Sequence, residues 1–113
     1  MIAHLVLFRP KVDLSAAERT TLVAALEHAL VNIPLIKRAR VGRRVTLDRV
    51  YDAQNTHEFP FVAILEFDNR QDLREYLDHP AHKTLGEQSY YTSDAALVFD
   101  FELLEGRQAG ELL

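Results

Sequence analysis

The segment REYLDHPAHKT, residues 74–84, brings together several side chains that can carry protons. Tyr76, His79 and His82 lie around Pro80 in this segment, and each of the three can donate or accept a proton. A histidine titrates at about 6.5, so a small change of environment makes it an acid or a base near neutral pH. The chain has no cysteine, which excludes a thiolate nucleophile and a cysteine-ligated zinc. Chemistry in this chain must therefore come from histidine, tyrosine and carboxylates.

The spacing gives these residues different roles. His82 is predicted to lie in the first turn of a helix that begins at Pro80, where the helix dipole disfavours imidazolium and leaves a neutral base. Tyr76 lies on the apolar face of the preceding helix, and its hydroxyl would donate to a carbonyl or enolate oxygen. His4, in an apolar run at the start of the chain, is predicted to point toward the same helices. The predicted catalytic residues are His82 as base, Tyr76 as donor and His4 in support, without a metal or cofactor.

Each of these residues also has a structural interpretation. His79, immediately before Pro80, is predicted to cap the second helix with its ring. His82 is alternatively a packing histidine bonded to a backbone carbonyl, and Tyr76 is alternatively a core aromatic. His4 in a buried strand must be hydrogen-bonded, either in a site or in the structure. A metal pair of His79 and His82 is disfavoured because Pro80 interrupts a common helical face and no third ligand is evident.

The hydrophobic pattern predicts the order of elements that must position these residues. Apolar or alternating runs predict four strands, and Ser15 with Glu18 forms a capping box that starts a long helix ending at Pro34. Gly42 is interpreted as a bulge, and residues 48–60 are interpreted as an exposed connection. The order βαββαβ is that of a ferredoxin-like α+β domain, in which helices cover one face of a four-stranded antiparallel sheet. The predicted strands are 2–8, 35–47, 61–67 and 95–104, and the later helices are 69–79 and 80–91.

Both faces of the predicted sheet are apolar. Successive strand residues point to opposite faces of a sheet, which divides the strand side chains into two sets. The set predicted to lie under the helices is Val6, Phe8, Phe61, Ala63, Leu65, Phe67, Leu97, Phe99 and Phe101. The opposite set contains Leu5, Leu7, Val62, Ile64 and Val98 with the charged Glu66 and Asp100. A sheet that is apolar on both sides must be covered on both sides. We therefore predict a homodimer whose sheets pack face to face, with Glu66 and Asp100 as interface charges opposite arginines.

The charge balance excludes several classes of partner. The formal net charge is −4 with both signs interleaved, and the one basic stretch, KRARVGRR, alternates like a strand. We therefore expect no binding to nucleic acid or to an anionic membrane. The apolar run at the start is too short for a signal peptide, so a cytoplasmic location is expected.

Three stretches resemble the stress-responsive α/β barrel domain family, called Dabb: MIAHLVLF, YLDHPAHKTL and LVFDFELL. The resemblance covers residues 1–104 and leaves a tail at 105–113. It implies a small dimeric α+β barrel. The family is related to the plant olivetolic acid cyclase, whose working tyrosine and histidine match Tyr76 and His82, and whose first-strand histidine matches His4. Phe61 stands where that cyclase has a further histidine.

The resulting hypothesis is a homodimer with a site for a small apolar carbonyl or phenolic compound, which is either a ligand-binding pocket or an enzyme that transforms the compound by cofactor-free enolate or aldol-type chemistry. His79, Phe61, Phe67 and Leu85 are expected to line the binding pocket. A second hypothesis is a non-catalytic stress or accessory dimer whose pocket is filled by aromatic side chains such as Tyr90 and Tyr91. A dimeric barrel of the antibiotic-biosynthesis monooxygenase type is a third.

Overall fold

The computed structural model describes residues 1–113, and the chain forms four strands, four α-helices and a terminal 3-10 helix. The 3-10 helix lies in the tail beyond residue 104. None of the helices is long and apolar enough to cross a membrane. The elements in chain order are β1 (Ile2–Pro10), α1 (Ala16–Asn32), β2 (Arg38–Arg43), α2 (Val50–Gln54), β3 (Phe61–Phe67), α3 (Arg70–Asp78), α4 (Pro80–Thr92), β4 (Ser93–Glu102) and the 3-10 helix (Gly106–Glu111).

The strands form one antiparallel sheet in the order β2-β3-β1-β4. The long helices α1, α3 and α4 pack on one face of this sheet, as the βαββαβ pattern predicts. We call the opposite face, which no helix covers, the open face. The predicted ferredoxin-like α+β fold is therefore confirmed.

Side-chain caps start the helices at the predicted positions. Ser15 Oγ accepts a hydrogen bond from the Glu18 amide at 3.1 Å, and Glu18 Oε1 accepts one from the Ser15 amide at 3.2 Å. Asn69 caps α3 by accepting from the Asp72 amide at 2.9 Å. These bonds satisfy amide groups that the first turn of a helix leaves free. They fix where α1 and α3 begin, and so where their apolar faces meet the sheet.

The core lies between the helices and the two central strands. Its members are buried apolar side chains from β1, β3 and the three long helices. Because α3 contributes two of them, the end of α3 is held firmly against the sheet. The residues are Ile2, Ala29, Ile33, Leu65, Phe67, Leu73, Tyr76 and Ala81.

The sequence prediction assigns the side chains of β4 to the wrong faces of the sheet. Asp100 pairs with His4 in the register of β4 against β1, and so lies on the helix face. Phe99 pairs with Leu5 and therefore lies on the open face. The hydrophobic pattern could not decide which face each side chain occupies, because β4 has apolar residues at both odd and even positions. A shift of one residue in register exchanges the two faces. The residues reassigned to the open face are Leu97, Phe99 and Phe101, and those reassigned to the helix face are Val98 and Asp100.

One expectation about the strands is corrected. Gly42 pairs with Val62 in an unbroken register, so it makes no bulge, and the irregularity of the sheet lies at Arg9 and Pro10 instead. The connection 48–60 is largely exposed, as predicted, and it contains the short helix α2. Asp52 starts this helix by accepting from the amides of Leu47 and Arg49. These bonds hold the pKa of the Asp52 carboxyl below its ordinary range.

Candidate functional site

The corner between α3 and α4 is fixed by His79, which is both the C-cap of α3 and the N-cap of α4. Its amide donates to the Tyr76 carbonyl at 3.1 Å, and its ring Nδ1 accepts from the Ala81 amide at 3.0 Å. Pro80 occupies the first position of α4, where a missing amide hydrogen costs nothing. The predicted capping role of His79 is confirmed. The corner sets the relative position of Tyr76 in α3 and His82 in the first turn of α4.

Replacing His79 by alanine removes this cap and is expected to lower the free energy of unfolding by about 1 kcal/mol. His79→Asn offers a side-chain oxygen to the same amide and is expected to recover most of the loss. Urea unfolding of the three proteins measures the difference. Equal stability of the alanine variant and the wild type would contradict this role of the ring.

The three predicted catalytic side chains form one ring cluster on the helix face. The Tyr76 ring packs against both of the others, with its centroid 4.7 Å from that of His82 and 5.9 Å from that of His4. Phe67 packs behind Tyr76 at 5.2 Å. Tyr76 and His4 are almost completely buried, at 2% and 4% exposure, while His82 is partly exposed. Residues from β1, α3 and α4 thus meet at one point that His82 connects to solvent.

The hydrogen bond of His82 determines which nitrogen is free to act as a base. Nδ1 lies 3.0 Å from the carbonyl oxygen of Leu77. A carbonyl only accepts, so Nδ1 carries the proton and Nε2 retains its lone pair. Burial lowers the pKa of His82, and the nearby His4 lowers it further, while the bond to Leu77 and the charge of Asp78 oppose the shift. At neutral pH His82 is therefore a neutral imidazole with an available basic nitrogen.

The lowered pKa predicts how stability depends on pH. In the unfolded chain a histidine titrates at about 6.5, and in the folded chain His82 titrates lower. Between these two values the unfolded state binds more protons, so the free energy of unfolding decreases as the pH falls through this window. The decrease from about pH 7.5 to about pH 5 is expected to be smaller in His82→Gln than in the wild type. Urea unfolding of both proteins at the two pH values checks this, and equal decreases would contradict it.

The Tyr76 hydroxyl is a proton donor without a partner in the chain. Burial raises the pKa of Tyr76 to about 12, so the phenol stays protonated at neutral pH. Every fully buried polar side-chain atom in the chain has a hydrogen-bond partner, whereas the Tyr76 hydroxyl oxygen has none. The Tyr76 oxygen is therefore not fully buried, although the residue as a whole is. Its oxygen must therefore reach space that a solvent or ligand atom can occupy. Such a group can donate to the oxygen of a bound molecule.

Asp100 is a residue of this site that alternation along β4 assigned to the wrong face. Its Oδ1 lies 2.6 Å from Nδ1 of His4. A carboxylate on one ring nitrogen fixes the tautomer and leaves the other nitrogen free. The signal in the sequence was the need of a buried histidine for a partner, together with an acidic residue in the middle of an apolar strand. With Asp100, the site contains a fixed His–Asp pair beside the tyrosine.

The four residues predicted to line a pocket have different positions. Phe67 contacts Tyr76, and Leu85 of α4 is partly buried against the core. His79 caps α4. Phe61 stacks on Phe8 with centroids 5.6 Å apart, at the far end of the sheet. Phe8 lies four positions along the strand from His4, a distance of about 13 Å, so Phe61 is not brought to the ring cluster.

No group of three or more histidine and acidic side chains is arranged to hold a metal ion. The site consists of two imidazoles, one phenol and one carboxylate. This set can accept a proton at His82 Nε2 and donate a hydrogen bond from Tyr76. It is the arrangement of a general acid–base pair.

The sheet order, the helices on one face and the cluster at the α3–α4 corner define a ferredoxin-like α+β barrel protein. A family model described as the Stress Responsive A/B Barrel Domain, or Dabb, matches residues 2–103. The chain belongs to this family, and the resemblance seen in the sequence is confirmed. Among curated proteins, none matches the chain in sequence.

Solved structures of the same fold come from plants and bacteria. The hydroxynitrile lyase of Passiflora edulis is 15% identical with a TM-score of 0.76, and the match covers 92% of this chain and 94% of that one. A protein from Arabidopsis thaliana is 19% identical with a TM-score of 0.74, over 93% and 97%. A dimeric ferredoxin-like protein of unknown function from Thermobifida fusca is 22% identical with a TM-score of 0.70, over 90% of each chain. At these identities the likeness shows the fold.

Proposed function

We propose that this protein binds a small apolar carbonyl compound at the α3–α4 corner and removes a proton from the carbon beside the carbonyl. Nε2 of His82 accepts the proton, and the Tyr76 hydroxyl donates a hydrogen bond to the enolate oxygen that forms. His4, held by Asp100, supports the phenol from the other side of its ring. In an isomerisation, protonated His82 returns the proton to a different carbon of the enolate. In an aldol-type step, the enolate carbon bonds to a second carbonyl carbon, and the resulting alkoxide takes the proton from His82.

The main support for the proposal is that a free basic nitrogen and a free hydroxyl belong to neighbouring side chains. The bond from Nδ1 of His82 to Leu77 leaves Nε2 free, and the neighbouring Tyr76 hydroxyl has no partner in the chain. A side chain kept only for packing would be expected to satisfy its own polar atoms. The pKa directions agree with these roles, since the base is neutral and the donor is protonated at neutral pH.

The lyase among the solved structures supports the class of the proposal. A protein named as a hydroxynitrile lyase has the fold of this chain. At 15% identity, the roles of individual residues cannot be transferred from the lyase to this chain. The proposed roles of His82, Tyr76 and His4 therefore rest on the geometry of this chain.

The proposal is tested by following deuterium exchange into phenylacetone, a small apolar ketone with acidic protons beside its carbonyl. Proton NMR in deuterium oxide shows the loss of these protons with time. The protein is expected to accelerate exchange above the rate in buffer alone, with saturation as the ketone concentration rises. Exchange at the buffer rate for phenylacetone and for a β-keto ester would contradict the enolate chemistry.

We further propose that two copies of the chain pair through the open face. Its apolar side chains are half-exposed in the single chain, with Phe99 at 47% and Phe101 at 50% exposure. A contiguous apolar surface of this kind is typical of an interface. The related Thermobifida fusca structure is described as dimeric, which supports the pairing.

A non-catalytic accessory dimer is the second candidate. It is favoured by the close contact of the rings, because Phe67, Tyr76 and His82 fill the corner themselves. The exposed positions of Tyr90 and Tyr91 do not favour it, since these aromatics lie outside the interior. The exchange assay separates the two candidates directly.

A further inference from the structure

One polar atom of the ring cluster has no role in the proposed proton transfer, namely Nε2 of His4. The other ring nitrogen, Nδ1, lies 2.6 Å from Oδ1 of Asp100. A carboxylate only accepts, so Nδ1 carries the proton and Nε2 of the neutral ring keeps its lone pair. His4 is therefore a second acceptor in the cluster, beside His82.

The free nitrogen of His4 borders space that a bound molecule can occupy. His4 is 4% exposed, and its Nε2 makes no hydrogen bond within the chain. Every fully buried polar side-chain atom has a hydrogen-bond partner, so Nε2 of His4 is not fully buried. A polar atom in such a position is normally satisfied by a solvent or ligand atom.

This space lies on the helix face of the sheet, within reach of all three rings. The His4 ring contacts the Tyr76 ring at a centroid distance of 5.9 Å, and its charge lowers the pKa of His82. The three side chains are therefore close enough to contact one small molecule. A second copy that pairs with the open face lies on the opposite side of the sheet from this site.

The free atoms of the cluster define the groups that a matching ligand must carry. They are one donor, the Tyr76 hydroxyl, and two acceptors, Nε2 of His82 and Nε2 of His4. A simple ketone uses the donor for its oxygen and His82 for its proton, which leaves His4 unused. A hydroxyl on the carbon that loses the proton would donate to His4. The carbonyl and hydroxyl oxygens would then be bound by neighbouring side chains.

We infer, on the basis of the proposed function, that the substrate is a small apolar α-hydroxy ketone and that His4 transfers its hydroxyl proton. His82 removes the proton from the carbon that carries the hydroxyl. This forms an enediolate, whose negative oxygen accepts a hydrogen bond from Tyr76. His4 Nε2 takes the proton of the hydroxyl oxygen and gives it to the negative oxygen.

The return of the carbon-bound proton completes the reaction. Protonated His82 gives its proton to the former carbonyl carbon, while a new carbonyl forms on the carbon that carried the hydroxyl. The carbonyl and hydroxyl groups have then exchanged places. Both histidines are back in their starting states, so the isomerisation consumes no other reactant.

Asp100 is the positioning residue for this step. Its carboxylate fixes the proton of His4 on Nδ1 and stabilises the imidazolium that exists while His4 carries the second proton. The Asp100 side chain is 49% exposed on the edge strand β4, so its replacement opens no sealed cavity. Asp100→Asn keeps the size of the side chain and removes its charge. It is therefore a safer variant than His4→Gln, which changes a buried ring.

The test uses phenylacetylcarbinol, which is phenylacetone with a hydroxyl on its benzylic carbon. Its isomer, α-hydroxypropiophenone, is a conjugated phenyl ketone whose formation is followed by ultraviolet absorbance and proton NMR. The wild type is expected to accelerate this isomerisation saturably above the rate in buffer. Asp100→Asn and His4→Gln are each expected to lower it by about tenfold or more beyond any loss of phenylacetone exchange. Asp94→Asn, the same change at an exposed position near the start of β4, is expected to isomerise as the wild type does.

The two assays distinguish failure of this inference from failure of the proposed function. Accelerated exchange of phenylacetone without isomerisation of the carbinol would overturn the inference and leave the proposed function in place. Exchange at the buffer rate would overturn the proposed function, and the inference with it. An equal loss of both activities in Asp100→Asn would give the pair of His4 and Asp100 a structural role, and would also overturn the inference.

Discussion

Replacing His82 by alanine is expected to lower the catalysed exchange of phenylacetone protons by about a hundredfold or more. General base catalysis contributes about a hundredfold to ten-thousandfold, and His82 Nε2 is a free basic nitrogen on a ring whose centroid lies 4.7 Å from that of Tyr76. Tyr76→Phe keeps the ring and removes the donor, so it is expected to lower the rate while preserving the packing. The rates are measured by proton NMR under saturating ketone.

The control for this prediction is His28→Ala, which removes an exposed histidine of α1 that bonds only within its own helix. It is expected to leave the exchange rate unchanged. The melting temperature of His82→Ala is expected to stay near that of the wild type, because the ring is partly exposed and its loss opens no sealed cavity. An unchanged exchange rate in His82→Ala together with a large drop in melting temperature would identify His82 as a packing residue.

The substitution Phe99→Glu is expected to raise the dimer dissociation constant by about a thousandfold. Phe99 lies on the open face with its ring next to that of Phe101, at a centroid distance of 6.2 Å. A central aromatic in an interface contributes about 2 kcal/mol or more, and a two-fold interface contains each residue twice. The resulting loss of about 4 kcal/mol corresponds to about three powers of ten in affinity. Sedimentation velocity over a range of concentrations measures the change.

Tyr90→Glu is the matched control for the dimer. It places the same charge at an aromatic residue that is 81% exposed on α4, on the other side of the sheet. The variant is expected to dimerise as the wild type does. A wild type that stays monomeric at high concentration, or a Phe99→Glu variant that dimerises normally, would contradict the proposed pairing.

The order of elements and the corner between the helices could be predicted from the sequence because local signals define them. The capping box at Ser15, the Asn69 cap and the His79–Pro80 pair each fix a helix end through bonds within four residues. The gathering of His82 and Tyr76 follows from the same corner. These features depend on contacts between residues close in sequence, and such contacts can be predicted from a local sequence pattern.

The face of β4 could not be predicted, because it depends on pairing with a strand distant in sequence. The run Leu97 to Phe101 has apolar residues at both odd and even positions, and its pattern alone predicts an outward-facing Asp100. In the structure the bond between His4 and Asp100 joins residues that are 96 positions apart.

The most direct test of the proposed acid–base site is an NMR titration of the histidine rings with and without small phenolic and β-keto acids, with His82→Ala to assign the signal. We predict that His82 titrates below about 6.5 and that its signal shifts saturably with one of these compounds. Such a result would identify the α3–α4 corner as a ligand-accessible acid–base site. A His82 signal that responds neither to pH nor to any of the compounds would contradict the proposal and leave His82 as a bonded residue of the core.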